Sequence, residues 1–112
     1  MSVRAQVFLW TAQRASAAVL ALCVVVHLAT MIFAVRHGLT AAEILSRTQG
    51  NYVWLIFYAT FVAAVAIHAP IGLRTIAGEA LGWRSGVVDA AVLALGALLA
   101  GWGWRAVFAV FG

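Results

Sequence analysis

Three apolar runs, at about residues 15–35, 52–73 and 87–104, dominate this chain of 112 residues. A hydrocarbon core about 30 Å thick takes about 20 helical residues to cross. The first two runs reach that length unaided, and the third reaches it with its flanks. In lipid, backbone amides and carbonyls must be paired within the segment itself, so each run is predicted to be a helix. The expected fold is therefore an all-α membrane protein with three transmembrane helices. The links between the runs are short, which makes the helices sequential antiparallel neighbours in a single domain covering residues 1–112.

Composition excludes a water-soluble alternative. Charged residues make up 9% of the chain and hydrophobic ones 66%, whereas a soluble domain carries about a quarter charged residues. All seven basic residues are arginines, giving a net charge of +4. They stand at the ends of the apolar runs, where such side chains reach for the headgroups, so the positive charge is no sign of nucleic-acid binding. Arg4, Arg14, Arg74 and Arg84 fall on one side, and Arg36, Arg47 and Arg105 on the other. That bias leans towards a cytoplasmic N-terminus. The first run is longer than the apolar part of a signal peptide and is read as a span. Cys23, the single cysteine, cannot form an internal disulfide and reads as a small buried hydrophobe.

The flanks carry their own signals. Residues 1–13, with Val7, Phe8, Leu9 and Trp10, are predicted to lie in the membrane interface as an amphipathic entry segment. Leu39 to Leu45 reads as a short interfacial helix, with Thr40 as its N-cap and Glu43 three residues on. In the third run Gly96, Ala100 and Gly103 form a stripe of small residues, which lets helices approach closely and is expected to pack on a partner. Three helices enclose little by themselves, so a partner subunit is expected.

Two histidines lie inside the apolar runs, where an ionisable side chain costs free energy and marks a functional site by default. His68 is six residues before Arg74, or about 9 Å below that interface. Gly72 is one turn further on the same face, where a missing side chain would make room for a flat macrocycle. Pro70 cannot donate to the carbonyl of Ala66 and is expected to loosen or kink the helix there. His27 lies thirteen residues beyond Arg14, about 20 Å deep. Ser16, Leu20, Cys23, His27 and Thr30 recur at spacings of three and four, so His27 shares one stripe with the few polar residues of its helix. That stripe is expected to face the bundle. Each imidazole has two readings: a core histidine bonded to a neighbouring helix, or a haem ligand.

If Arg14 and Arg74 mark one interface, the two histidines differ in depth by about 10 Å. Two axial ligands of one iron need nearly the same depth, so a haem shared between them within this chain is disfavoured. Each would need a second ligand from another chain. His37 reads as a solvated residue, Asp89 as a carboxylate favoured by a helix N-terminus, and Glu79 as a solvated loop acid. Arg14 and Arg74 read as interface anchors or, more sharply, as partners for haem propionates or a quinone carbonyl.

Taken together, these motifs make the chain resemble the small membrane-anchor, or cytochrome b, subunits of succinate dehydrogenase and fumarate reductase, respiratory complex II. Arg14-Ala15-Ser16 resembles the family's Arg-Ala-Thr/Ser entry to the first helix, and Gly38-Leu39-Thr40 its following loop. His68-Ala69-Pro70-Ile71-Gly72-Leu73-Arg74 is similar to its His-Ala-x-Ile-Gly-x motif, at the end of the second of three helices. The resemblance implies one half of a six-helix anchor, completed by a second membrane-anchor subunit, in a bacterial inner membrane. It also implies docking to a flavoprotein and an iron–sulfur subunit on the cytoplasmic face.

By the same resemblance, His68 is an axial ligand of haem b and Arg14 lies near its propionates. Ser16 lies near the haem or quinone end of the first helix, and His27 matches a histidine of relatives with two haems. The family motif continues to an Asp-Tyr pair whose tyrosine helps bind quinone, whereas here the positions read Glu79-Ala80. Two axial imidazoles leave iron no open position, so such a haem passes electrons and does not activate oxygen. The chain holds no flavin motif and no cysteine cluster. It is therefore expected to anchor such a complex and conduct electrons between the iron–sulfur subunit and quinone. The alternatives are a haem-free structural anchor, or a small channel or transporter subunit with the two histidines as a proton relay.

Overall fold

The computed structural model describes all 112 residues, Met1–Gly112, as four helices and no strand. They are α1 (Val3–His37), α2 (Ala41–Thr48), α3 (Tyr52–Ala80) and α4 (Gly86–Phe111). Three of them, α1, α3 and α4, are long and apolar enough to cross a membrane, and the chain is a multi-pass membrane protein in form. Their lengths of 35, 29 and 26 residues correspond to about 52, 43 and 39 Å. Each therefore overruns a hydrocarbon layer of about 30 Å.

Every helix starts on a side-chain cap that satisfies an otherwise orphaned amide. Ser2 accepts from the amide of Ala5, Thr40 from Glu43, Asn51 from Val53 and Trp54, and Ser85 from Val88. The expected Thr40 cap is thus present. The Glu43 carboxylate, however, packs over Gly38, whose φ of +137° and lack of a Cβ leave it that space. Residues 3–13 continue α1 without a break, because Ser2 caps the helix and no glycine or proline interrupts it before the apolar run.

The helix α3 is the middle of the bundle, packed antiparallel against α1 on one side and α4 on the other. It runs through Pro70 as one helix. The proline ring projects towards α4, where a Cβ on Gly96 would come within 2.9 Å of Pro70 Cγ and 3.3 Å of the Ala66 carbonyl oxygen. Seven residues on, a Cβ on Gly103 would meet Val62 Cγ1 at 2.5 Å. The small-residue stripe of α4 is consumed inside the chain. The close approach expected of this stripe is made by α3 of the same chain: Pro70 and Val62 need the room that Gly96 and Gly103 provide.

Both ends of α4 are tied to the rest of the chain. At one end Arg74 Nε donates to Asp89 Oδ1 at 2.7 Å. Asp89, in the first turn of α4 as expected, is thus also the partner of Arg74, and Ser85 is the cap. The two side chains are 37% and 51% exposed, and an ion pair in that setting contributes at most about 1 kcal/mol. Asp89→Asn is accordingly expected to lower stability by less than about 1 kcal/mol, measurable by denaturant unfolding in detergent.

At the other end the buried Thr48 hydroxyl donates to the Val110 carbonyl at 2.8 Å, and the Gly50 amide donates to the Phe111 carbonyl at 2.8 Å. These two bonds close off carbonyls that the end of α4 would otherwise leave unpaired. Thr48→Val removes one of them and is expected to cost about 1 kcal/mol. Hydrogen exchange of the last turn of α4 should rise in that variant and stay unchanged at the start of α4.

Candidate functional site

The polar stripe of α1 faces α3. Ser16 and Cys23 are its two buried residues, and Leu20, His27 and Thr30 are half-buried. Antiparallel packing sets Ser16 beside His68, with Ser16 Oγ 3.4 Å from His68 Nδ1. One turn towards the N-terminus, Gln13 lies against Gly72, where a Cβ would sit 3.1 Å from Gln13 Nε2. The same Ser16 hydroxyl lies 3.1 Å from the Gln13 carbonyl oxygen, to which it donates. Gln13, Ser16, His68 and Gly72 thus form one polar patch within the α1–α3 seam.

His68 is half-buried. Its Nδ1 is turned to Ser16, while Nε2 has no hydrogen-bond partner in the chain and remains accessible at the face of the bundle. An accessible, unpartnered ring nitrogen within an apolar span is the atom that a ligand from outside the chain can reach. Gly72 does not open directly onto that space: the Gln13 amide fills the room its missing side chain leaves.

His27 stands in different surroundings. Its ring meets the edges or faces of Tyr58 and Phe61 at centroid distances of 5.9 and 5.7 Å, nearly perpendicular to both. Its Nδ1 is buried and has no partner. The ring borders a cavity of about 820 Å³ between α1, α2 and the start of α3, lined largely by apolar residues together with Thr30, Arg47, Thr48 and Tyr58. Eleven residues separate Ser16 from His27 along α1, so His27 lies about 16 Å from the level of His68. That separation exceeds the expected 10 Å because Arg14 and Arg74 are not level. With Ser16 opposite His68 and Gln13 opposite Gly72, Arg14 falls about one turn deeper than Arg74.

The two arginines also differ in their partners. Arg74 is held by Asp89. Arg14 faces outward with its guanidinium 5.1 Å from the ring centre of Trp10, an arrangement that suits an interface anchor and leaves its donors free. Beyond Arg74, a polar hollow of about 650 Å³ at the α3–α4 turn brings together Gln6, Arg74, Glu79, Trp83, Arg84 and Asp89. His37 closes α1: its ring stacks on Phe33 at 4.2 Å, and its Nδ1 lies 3.0 Å from the Phe33 carbonyl.

The geometry therefore joins three of the residues singled out in the sequence, Ser16, His68 and Gly72. It sets His27 apart, binds Arg74 to Asp89 and turns Arg14 outward. Gln13 was missed, although it extends the stripe of Ser16, Cys23 and His27 by one turn. Compared with protein-family models, curated proteins and solved structures, the chain matches none.

Proposed function

We propose that this chain is a haem b-binding membrane anchor of a succinate:quinone oxidoreductase, conducting electrons between an iron–sulfur subunit and quinone. The observation that carries the reading is His68: an imidazole inside an apolar helix, held at Nδ1, with Nε2 unpartnered and accessible. Such a nitrogen could hold the iron of a haem lying between this chain and a second anchor subunit, which would supply a further ligand. A bis-imidazole haem supplies one-electron transfer without an open coordination position.

This chain's own residues then have separable tasks. His68 offers an imidazole nitrogen at fixed depth, with the buried Ser16 of the α1–α3 seam on its other side. Arg14, outward and unpaired within the chain, is placed to meet a propionate or a quinone oxygen contributed from outside. The polar hollow at the α3–α4 turn lies on the same side as His68 and is the end at which the flavoprotein and iron–sulfur subunits would dock, on the cytoplasmic face of a bacterial inner membrane. Ala80 is exposed and has no polar group, so the quinone contact of the family's tyrosine would come from Trp83 or from the partner subunits.

A second haem at His27 has weaker support. Metal-ligating histidines almost always donate their other ring N–H to an acceptor, and the buried Nδ1 of His27 has none. The two histidines are also about 16 Å apart along the bundle, with apolar residues between them, which makes a poor proton relay and speaks against a transporter subunit. A haem-free structural anchor is the remaining alternative, since the Ser16–His68 contact alone would satisfy one ring nitrogen.

Affinity purification through a tag on this chain tests the assignment to a complex. The expected result is co-purification of two larger soluble subunits and succinate-dependent reduction of a quinone analogue. A chain that purifies alone and supports proton flux in liposomes would overturn it.

A further inference from the structure

The contrast between the two intramembrane histidines points to what the Ser16 hydroxyl does. A neutral imidazole carries one proton, and only the nitrogen without it can bind a metal. Whichever nitrogen is pinned as a donor therefore decides which one is free to ligate. The Ser16 hydroxyl also has a single proton to give. Two acceptors compete for it: the Gln13 carbonyl at 3.1 Å and His68 Nδ1 at 3.4 Å.

The carbonyl is nearer and lies within the same helix, three residues back, so it takes the hydroxyl proton. The oxygen lone pairs of Ser16 then face His68 Nδ1 and can only accept. We infer that Ser16 accepts a hydrogen bond from His68 Nδ1–H and thereby fixes the imidazole as the tautomer whose Nε2 is bare. Ser16 is buried. His27 has no equivalent residue, and its Nδ1 is unpartnered. Ser16 is thus a positioning residue that distinguishes the two histidines of one α1–α3 seam.

The consequence for a metal ligand rests on the haem reading above; the tautomer does not. An acceptor on Nδ1–H makes the ring a stronger donor through Nε2, and loss of such a contact typically weakens metal affinity by about 10–100-fold. A more basic axial ligand favours ferric over ferrous iron, so losing the contact raises the midpoint potential.

The decisive experiment is nitrogen NMR of histidine-labelled full-length chain in micelles, first without haem. The wild type is expected to show His68 protonated at Nδ1 and bare at Nε2. Ser16→Ala should lose that preference, and Ser16→Thr should restore it. A wild-type His68 protonated at Nε2, or a Ser16→Ala variant with the same tautomer as wild type, would overturn the inference. In the purified complex, Ser16→Ala is expected to release haem about 10–100-fold more readily and to titrate at a higher potential, with Ser16→Thr close to wild type. Haem affinity and potential both unchanged in Ser16→Ala would contradict the role of Ser16. Absence of haem from the wild-type complex would instead remove the haem reading and leave the tautomer result standing.

Discussion

A complex carrying His68→Ala is expected to contain no haem b, while His27→Ala retains it. The difference follows from the surroundings of the two rings and not from their composition, since both are imidazoles in apolar helices. His68 presents an accessible Nε2 with no hydrogen-bond partner in the chain, on a ring whose Nδ1 lies against Ser16. His27 is wedged against Tyr58 and Phe61 with its inner nitrogen unpaired. If His68 holds the haem as proposed, His68→Ala would remove one of the residues that keep it bound, so the haem retained after purification should fall to background. The measurement is the reduced-minus-oxidised difference spectrum of each variant, normalised to the amount of complex. Loss of half the signal in each variant would instead indicate two haems, one per histidine.

The second large effect is expected in the α3–α4 seam. Gly96→Leu and Gly103→Leu should each destabilise the bundle by at least about 1–3 kcal/mol, the usual cost of forcing extra atoms into a well-packed contact. A first added carbon already comes within 2.9 Å of Pro70 Cγ at Gly96 and 2.5 Å of Val62 Cγ1 at Gly103. Neither neighbour can swing away: the proline is a ring, and valine is branched at Cβ with one strongly preferred rotamer in a helix. The helices must therefore separate, and Arg74 and Asp89 at the end of the seam would be pulled apart with them. Gly101→Leu is the control, because nothing lies within 4 Å of the carbon added there. Thermal unfolding in detergent should show a clear drop for the first two variants and little change for the third.

The spans and the Thr40 cap could be read from the sequence because each depends on a local rule. Apolar length fixes a spanning helix, and a hydroxyl residue before a helical run caps it. The ends were harder. Helix α1 reaches back to Val3 because Ser2 caps it, and the apolar count starts only at residue 15 since Arg4, Gln6, Thr11, Gln13 and Arg14 interrupt it without breaking the helix. Relations between helices were harder still. Arg74 and Asp89 each have a plausible local role, as interface anchor and as N-terminal carboxylate, so nothing in the sequence demands that they meet.

The same holds for the seam around His68. Ser16 and His68 lie 52 residues apart, and their contact depends on the register in which α1 lies against α3. Periodicity tells which face of α1 is buried; it does not tell which residue of α3 stands opposite. Small residues raised a related ambiguity. Gly96 and Gly103 announce a close approach, but the identity of the approaching helix, α3 of the same chain, follows from Pro70 and Val62 only once the packing is known.

The most direct test of the central claim is the state of the haem in the complex purified through this chain. The expected result is one low-spin, six-coordinate haem b per copy of the chain, with a sharp reduced α-band that carbon monoxide leaves unshifted. On the proposed reading that outcome needs two strong protein ligands, one of which would be His68. A complex that retains its partner subunits and succinate-dependent quinone reduction but shows no haem absorbance would contradict the claim, as would a band that survives intact in His68→Ala.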